Sequence, residues 1–262
     1  MATALRALAL VLPSLLMVTL SFGAEPLQLR VLSYNIHHGE GMDGRLDLQR
    51  IADVIVSARA DLVALQEVDY KASRSGSIDQ PAELARLTGL QVVFGGNIDL
   101  QGGRYGNAVL SRYPIVEHEN HLLPRFDDGE QRGVLVAKAR IPGMREPLLF
   151  LATHFDHRPD DRERMASARA IDELLPGDPI ALLAGDLNDD AASGTLEILE
   201  ANWARTNRSP LATVPVDHPT RQIDFVLYRP VDRWKVLKTR TLEEAVASDH
   251  RAILAELAFQ PN

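Results

Sequence analysis

Several apolar runs in this 262-residue chain end in side chains that can do chemistry. LQLRVLSYN ends at Asn35, DLVALQE at Glu67, LLFLATHFD at His154 and Asp156, and ALLAGDLN at Asp186 and Asn188. A polar group that closes an apolar strand is half-buried at a sheet edge, and such edges build sites. Taken singly, each of these residues reads as a turn or a helix cap; their joint occurrence points to a site. Residues two apart in an extended chain share a face, which pairs Asp186 with Asn188, His154 with Asp156, and Asn35 with His37. Asp249 and His250 are adjacent and, if extended, point to opposite faces, so Asp249 is badly placed to orient His250. A catalytic histidine needs a carboxylate to fix its tautomer and stabilise its charge, and Asp224, in QIDFVLY, is the candidate. Carboxylate and amide oxygens suit Mg²⁺ or Mn²⁺ better than zinc. A hard cation on a phosphoryl oxygen, with a histidine donor beside it, fits in-line displacement by water.

Composition narrows the chemistry. The chain has no cysteine, which excludes disulfides, thiolate metal ligands and a thiol nucleophile. A formal charge of −8, from 28 basic and 36 acidic residues, lowers affinity for a polyanion such as DNA without excluding a phosphate substrate. Residues 1–24 carry one charge, Arg6, then an apolar run and small residues, the pattern of a secretory signal cut after Gly23 or Ala24. A retained membrane anchor is the alternative, which Pro13 and the small flank disfavour. The remaining residues, 25–262, are expected to form one catalytic domain in an exported (periplasmic or secreted) protein.

Strands and amphipathic helices must position these groups. Helices are predicted over residues 46–58, 79–88, 161–175 and near 193–201, from apolar side chains at helical spacing. Met165, Ala168, Ile171 and Leu175 are expected to face inward on the third. Between the second and third lie QVVFGGN, YGNAVLSR, residues 115–123, RGVLVAKARI and EPLLFLATHF, all strand-like and separated by turn signals such as Pro142–Gly143. IDFVLY, WKVLKTRT and RAILAELAF return to strands, and the Pro-rich stretch 209–221 reads as a loop. Strand clusters with helices between them imply two packed sheets flanked by helices, an α+β sandwich.

The ordered set YNIHHG, LQEV, YGNAVLSRYPI, THFDH, GDLND, QIDFV and SDHR resembles the endonuclease/exonuclease/phosphatase superfamily, whose members include DNase I-like nucleases, sphingomyelinases and inositol-phosphate phosphatases. The likeness runs from Tyr34 to Arg251. It implies a four-layer αββα sandwich with the site at one edge of the two sheets. It also implies that Asn35 and Glu67 are metal-site residues, Glu67 the direct ligand, with Asp249 completing the metal side around one or two ions. His154 would then bond the scissile phosphate. Asp186 would orient or deprotonate the attacking water, and Asn188 would hold that water or a phosphate oxygen. His250, paired with Asp224, would act as general acid–base or transition-state donor.

Beyond that core, Asp156 extends the first histidine motif toward substrate. Arg132 reads evenly as a phosphate clamp or a surface ion pair. Tyr105 and Asn107 flank Gly106, where a structural turn is favoured over substrate contact. His37 reads as a site residue or a satisfied strand-end histidine. His118, His121 and His218 read as solvated, as does the Arg162, Arg164 and Arg169 face of the third helix. The expected substrate is a small or lipid-linked phosphate ester, with membrane lipid open as a source, nucleic acid disfavoured by charge and no protein partner implied. An exported nuclease, or a non-catalytic binding protein on the same fold, is the alternative.

Overall fold

A computed structural model of the chain describes residues 27–260. The expected signal segment lies outside the described residues. The strands are β1 (Gln28–Asn35), β2 (Leu62–Tyr70), β3 (Gln91–Leu100), β4 (Gly103–Ser111), β5 (Ile115–Leu122), β6 (Gly133–Ala139), β7 (Leu148–His154), β8 (Ala181–Asp186), β9 (Ala204–Arg205), β10 (Asp224–Arg229), β11 (Trp234–Thr241) and β12 (Ile253–Phe259). The helices are α1 (Leu48–Ala58), α2 (Gln80–Thr88), α3 (Arg162–Glu173) and α4 (Gly194–Glu200). Caps set the helix starts: Asp47 accepts from the Arg50 amide, Asp79 from Ala82, and Ser193 from Leu196.

The strands form two six-stranded sheets, ordered β11-β12-β1-β2-β4-β3 and β5-β6-β7-β8-β10-β9. Each has a parallel pair near its middle, β1 with β2 and β7 with β8, and every other pairing is antiparallel. Ile51, Ile55 and Leu84 of α1 and α2 cover the outer face of the first sheet. Ala168, Ile171, Leu196 and Leu199 of α3 and α4 cover that of the second. The result is the four-layer αββα sandwich of the DNase I-like fold.

The period of two within the strands determines where the site forms. Leu29, Val31, Leu62, Ala64, Phe150, Ala152, Leu182, Ala184 and Val226 all lie in the core between the sheets. Two residues further along the same faces the alternation turns polar, to Ser33 and Asn35, Gln66, His154, Asp186 and, at the start of antiparallel β10, Asp224. All six are buried. One sandwich interior therefore runs from apolar to ionisable along its length, and parallel β1/β2 and β7/β8 deliver their C-terminal ends to the same rim.

Three local expectations are corrected. Tyr105–Gly106–Asn107 is not a turn but lies within β4. A Cβ on Gly106 would sit 1.9 Å from the Gly95 carbonyl, so the glycine serves close strand approach. The arginine face of α3 is not uniformly solvated, because Arg164 is buried and its Nε donates to Asp189 at 3.0 Å. Leu175 is buried but lies beyond the end of α3, which stops at Glu173.

Candidate active site

Asn35 sits at the centre of the site. Its Nδ2 donates to Glu67 Oε1 at 3.0 Å and to Asp186 Oδ2 at 3.1 Å, and its Oδ1 accepts from the His37 amide at 3.0 Å. An amide turned the other way would set its oxygen against two carboxylates, so the network fixes the orientation. Asn35 therefore aligns the carboxylates of both sheets through its nitrogen, beside Glu67, the expected direct ligand. Ser248 supports it from the SDH segment, donating from Oγ to the Asn35 carbonyl at 2.7 Å and accepting from the His250 amide at 3.2 Å. The serine of the last motif thus ties that motif to β1.

Glu67 reaches the site through a bulge. In the β2–β4 ladder Leu65 pairs with Ala108 and Val68 with Gly106, so β2 carries one extra residue, and Glu67 has φ 60. Asn188, at φ 49, and His37 and His38, both at φ 45, share the left-handed region. Such conformations cost about 1–3 kcal/mol each and persist where packing over-determines them, which is characteristic of functional sites.

The second sheet supplies a buried cluster. His250 Nδ1 lies 2.9 Å from Asp224 Oδ2, and His250 Nε2 lies 3.7 Å from Asp186 Oδ2. Asp186 Oδ1 accepts from the Asn188 amide at 2.9 Å, and Asp186 Oδ2 lies 3.5 Å from His154 Nε2. Asn188 Nδ2 lies 3.0 Å from both His154 Nε2 and the Phe155 carbonyl. On the other side of the His154 ring, Arg132 Nη1 lies 3.1 Å from Nδ1. These residues, far apart in sequence, meet in one cleft.

Their proton affinities diverge. Burial, then the neighbouring Asp224 charge, pushes Asp186 up to about 7. Burial works against charge on His250, but Asp224 and then Asp186 outweigh it and push the imidazole up to about 10. Burial, followed by Arg132, holds His154 well below the usual histidine range. At neutral pH the site therefore contains a charged His250, a neutral His154 and an aspartate near its midpoint.

Other expected residues are placed differently. Asp156 is buried, and both its oxygens accept from Arg158 Nε, at 3.1 and 2.9 Å. This corrects its assignment to substrate, since its carboxylate is already committed. Arg132 is buried rather than a surface residue; its Nη1 pairs with Glu130 at 2.7 Å, and Nη2 lies 3.3 Å from His157 Nδ1. Asn107 is buried, with Nδ2 on the Gly133 carbonyl and Oδ1 without a partner among the described residues. Asp249 is half-buried, with Oδ1 3.3 Å from Ser248 Oγ, whose proton goes to the shorter Asn35 contact. His118 and His218 are exposed, and His121 pairs with Glu119 at 3.5 Å. The sequence reading missed Glu130, Ser248 and the ion-pair cluster of Arg158, Glu163, Arg164 and Asp189. Ser248 and Asp189 had a signal, as members of the quoted SDHR and GDLND motifs.

The residues fit a divalent cation. Among the described residues, the carboxylates of Asp186 and Asp224 and the His250 ring place ligand-type atoms within 4.8 Å of one another, though a charged His250 has no lone pair to give a cation. Asp224 Oδ1 is buried with no hydrogen-bond partner among the described residues, and an orphaned carboxylate oxygen in an acid-rich cleft is what a cation would satisfy. Glu67 and Asp249, less buried, offer further hard oxygens.

Comparison with known proteins gives the same picture. The sequence model of the Endonuclease/Exonuclease/phosphatase family matches residues 32–250. YbhP of Escherichia coli K12, itself uncharacterised, is 30% identical over 245 residues, covering 87% of this chain and 95% of its own. An endonuclease/exonuclease/phosphatase structure from Beutenbergia cavernae is similar with a TM-score of 0.75 at 27% identity, over 88% of this chain and 72% of that one. The mannosyl-6-phosphatase Bt3783 of Bacteroides thetaiotaomicron shares the fold, with a TM-score of 0.74 at 20% identity over 88% of this chain and 100% of its own. With the family match spanning almost every residue of the cleft, the chain belongs to the endonuclease/exonuclease/phosphatase family, whose members hydrolyse phosphoester bonds.

Proposed function

We propose that this protein is an exported, divalent-metal-dependent hydrolase of a small or lipid-linked phosphate ester, in which water attacks phosphorus in line. The observation that carries the reading is the linkage Glu67–Asn35–Asp186–His250–Asp224, which joins acids and an imidazole from both sheets in one cleft. Asp186, pushed up to about 7, is matched to general-base work near neutral pH, and the Asn35 and Asn188 contacts orient its two oxygens toward a water. His250, held charged by Asp224, donates to the phosphoryl oxygen or the leaving group. His154 stays neutral and stabilises charge developing on the phosphate. Mg²⁺ or Mn²⁺, one ion or two, held by Glu67 with Asp249 and in reach of Asp186, would neutralise phosphoryl charge and lower the proton affinity of water. The apolar leader over residues 1–24 supports export.

The acidic balance supports a small ester over a polynucleotide, since a duplex needs a basic groove. The phosphatase named among the similar structures supports sugar phosphates as candidates within that class. The test is hydrolysis of p-nitrophenyl phosphate, bis-p-nitrophenyl phosphate, sugar phosphates, phospholipids and plasmid DNA, with Mg²⁺, Mn²⁺ or EDTA. Turnover of small or lipid esters that EDTA abolishes is expected. DNA as the best substrate would make the protein a nuclease, and no turnover on any ester would favour the non-catalytic reading.

A further inference from the structure

Arg132 and Asn188 compete for one imidazole. His154 Nδ1 lies 3.1 Å from Arg132 Nη1, and His154 Nε2 lies 3.0 Å from Asn188 Nδ2. A neutral imidazole has one lone pair in its plane, so it accepts from one of these donors and must offer N–H to the other. The guanidinium cannot yield, because it has only donors, never loses its proton in a protein and is buried. It is also held in place, with Nη1 on Glu130 and Nη2 against His157. Asn188 is half-exposed, and its amide can turn its oxygen to the ring at the expense of its bond to the Phe155 carbonyl. A second observation selects the same arrangement when Asp186 is ionised: its Oδ2 then lies 3.5 Å from Nε2 as an acceptor, where a proton is welcome and a lone pair is not.

We propose that Arg132 is a positioning residue that fixes His154 in the Nε2–H tautomer, which makes His154 a hydrogen-bond donor to the phosphoryl group and not a base. The guanidinium that the sequence offered as a phosphate clamp thus acts through the histidine. Nη1 is divided between Glu130 and His154, Nη2 faces His157, and Nε is buried without a partner among the described residues. Both terminal nitrogens are therefore turned to groups of the protein. The same contact makes His157, when neutral, carry its proton on Nε2. The catalytic meaning rests on the phosphoester-hydrolase reading; the tautomer does not.

Long-range ¹H–¹⁵N correlation spectra of metal-free, ¹⁵N-histidine-labelled protein read the tautomer directly. The His154 signals are assigned by their loss in His154→Asn. The expected wild-type pattern is a protonated Nε2 and an unprotonated Nδ1. Arg132→Gln, whose amide oxygen can accept from Nδ1–H, should move His154 to the other tautomer or to a mixture, and Arg132→Lys should keep the wild-type pattern. In turnover, Arg132→Gln should lose roughly tenfold or more in kcat with KM within about twofold, and Arg132→Lys should recover much of it. An Nδ1–H or mixed His154 in the wild type would overturn the proposal without needing any variant to fold. A raised KM with kcat and tautomer unchanged in Arg132→Gln would overturn it in favour of a phosphate clamp. A wild type inactive on every ester would remove the hydrolase reading and leave the spectroscopic result standing.

Discussion

The two sheets contribute unequal halves to one cleft. From the second come His154, Asp186 and Asp224, all buried and drawn close together, with His250 hydrogen-bonded to Asp224 from the loop before β12. From the first comes Glu67, only partly buried, carried on a bulge at φ 60 and steadied by the Asn35 amide. A dry, interlocked half suits proton transfer, because burial and neighbouring charge separate the proton affinities of its members. A wetter half with strained backbone and hard oxygens suits an exchangeable cation. The family fold joins the two, and the lesson lies in how Asn35 couples them with the two hydrogens of one amide.

The comparison is broken most severely in the buried half. His250→Ala and Asp186→Ala should each cut kcat by at least ~10²-fold, the scale of a general acid–base role, with circular dichroism still that of a folded protein. Comparable losses from both variants and from an exposed control would show that the cleft has been placed wrongly.

A stability effect of moderate size should appear outside the cleft. Arg164 is buried, pairs with Asp189 at 3.0 Å and donates to the carbonyls of Asp156 and Arg158 at 3.1 and 2.6 Å. Arg164→Ala strands a carboxylate and those carbonyls and should cost roughly 3 kcal/mol by denaturant titration. Its kcat should fall far less than that of His250→Ala, because the cluster braces the loop after β7 without touching phosphorus.

A smaller effect should appear as a pH dependence of stability. Asp186 is pushed from its ordinary value near 3.8 up to about 7 in the folded protein. The unfolded chain therefore releases this proton first, and the metal-free fold loses stability as pH rises from about 4 through about 7. Asp186→Asn should abolish that contribution, leaving a flatter stability profile in EDTA over the same window. A wild-type profile as flat as that of Asp186→Asn across that range would mean the carboxylate is charged and satisfied without a cation.

The smallest effect is expected at His118. It is exposed on β5, away from the cleft, and His118→Ala should leave rate and stability within measurement error. A clear loss of turnover would point to a surface contribution that the cleft does not contain.

Much of this was legible in the sequence because strands announce themselves. The alternation that ends at Asn35, His154 and Asp186 gave both the face and the sheet end, and seven ordered motifs gave the family. What the sequence hid depends on three-dimensional neighbours. Asp156 reads as part of a catalytic motif until Arg158, two residues later, proves to occupy both its oxygens. Tyr105–Gly106–Asn107 has turn chemistry, yet the glycine is there because the Gly95 carbonyl passes so close. Arg132 could not be resolved, since nothing local says that Glu130 and two histidines will enclose it.

The division of labour itself can be tested by the metal dependence of turnover. Hydrolysis of a responsive phosphate ester is followed against Mg²⁺ and Mn²⁺ concentration for the wild type and Glu67→Gln. The expected result is no turnover in EDTA for either, and a metal midpoint for Glu67→Gln displaced at least roughly tenfold upward, with part of the maximal rate recovered at saturation. Wild-type turnover that survives EDTA, or a midpoint that Glu67→Gln leaves in place, would contradict it.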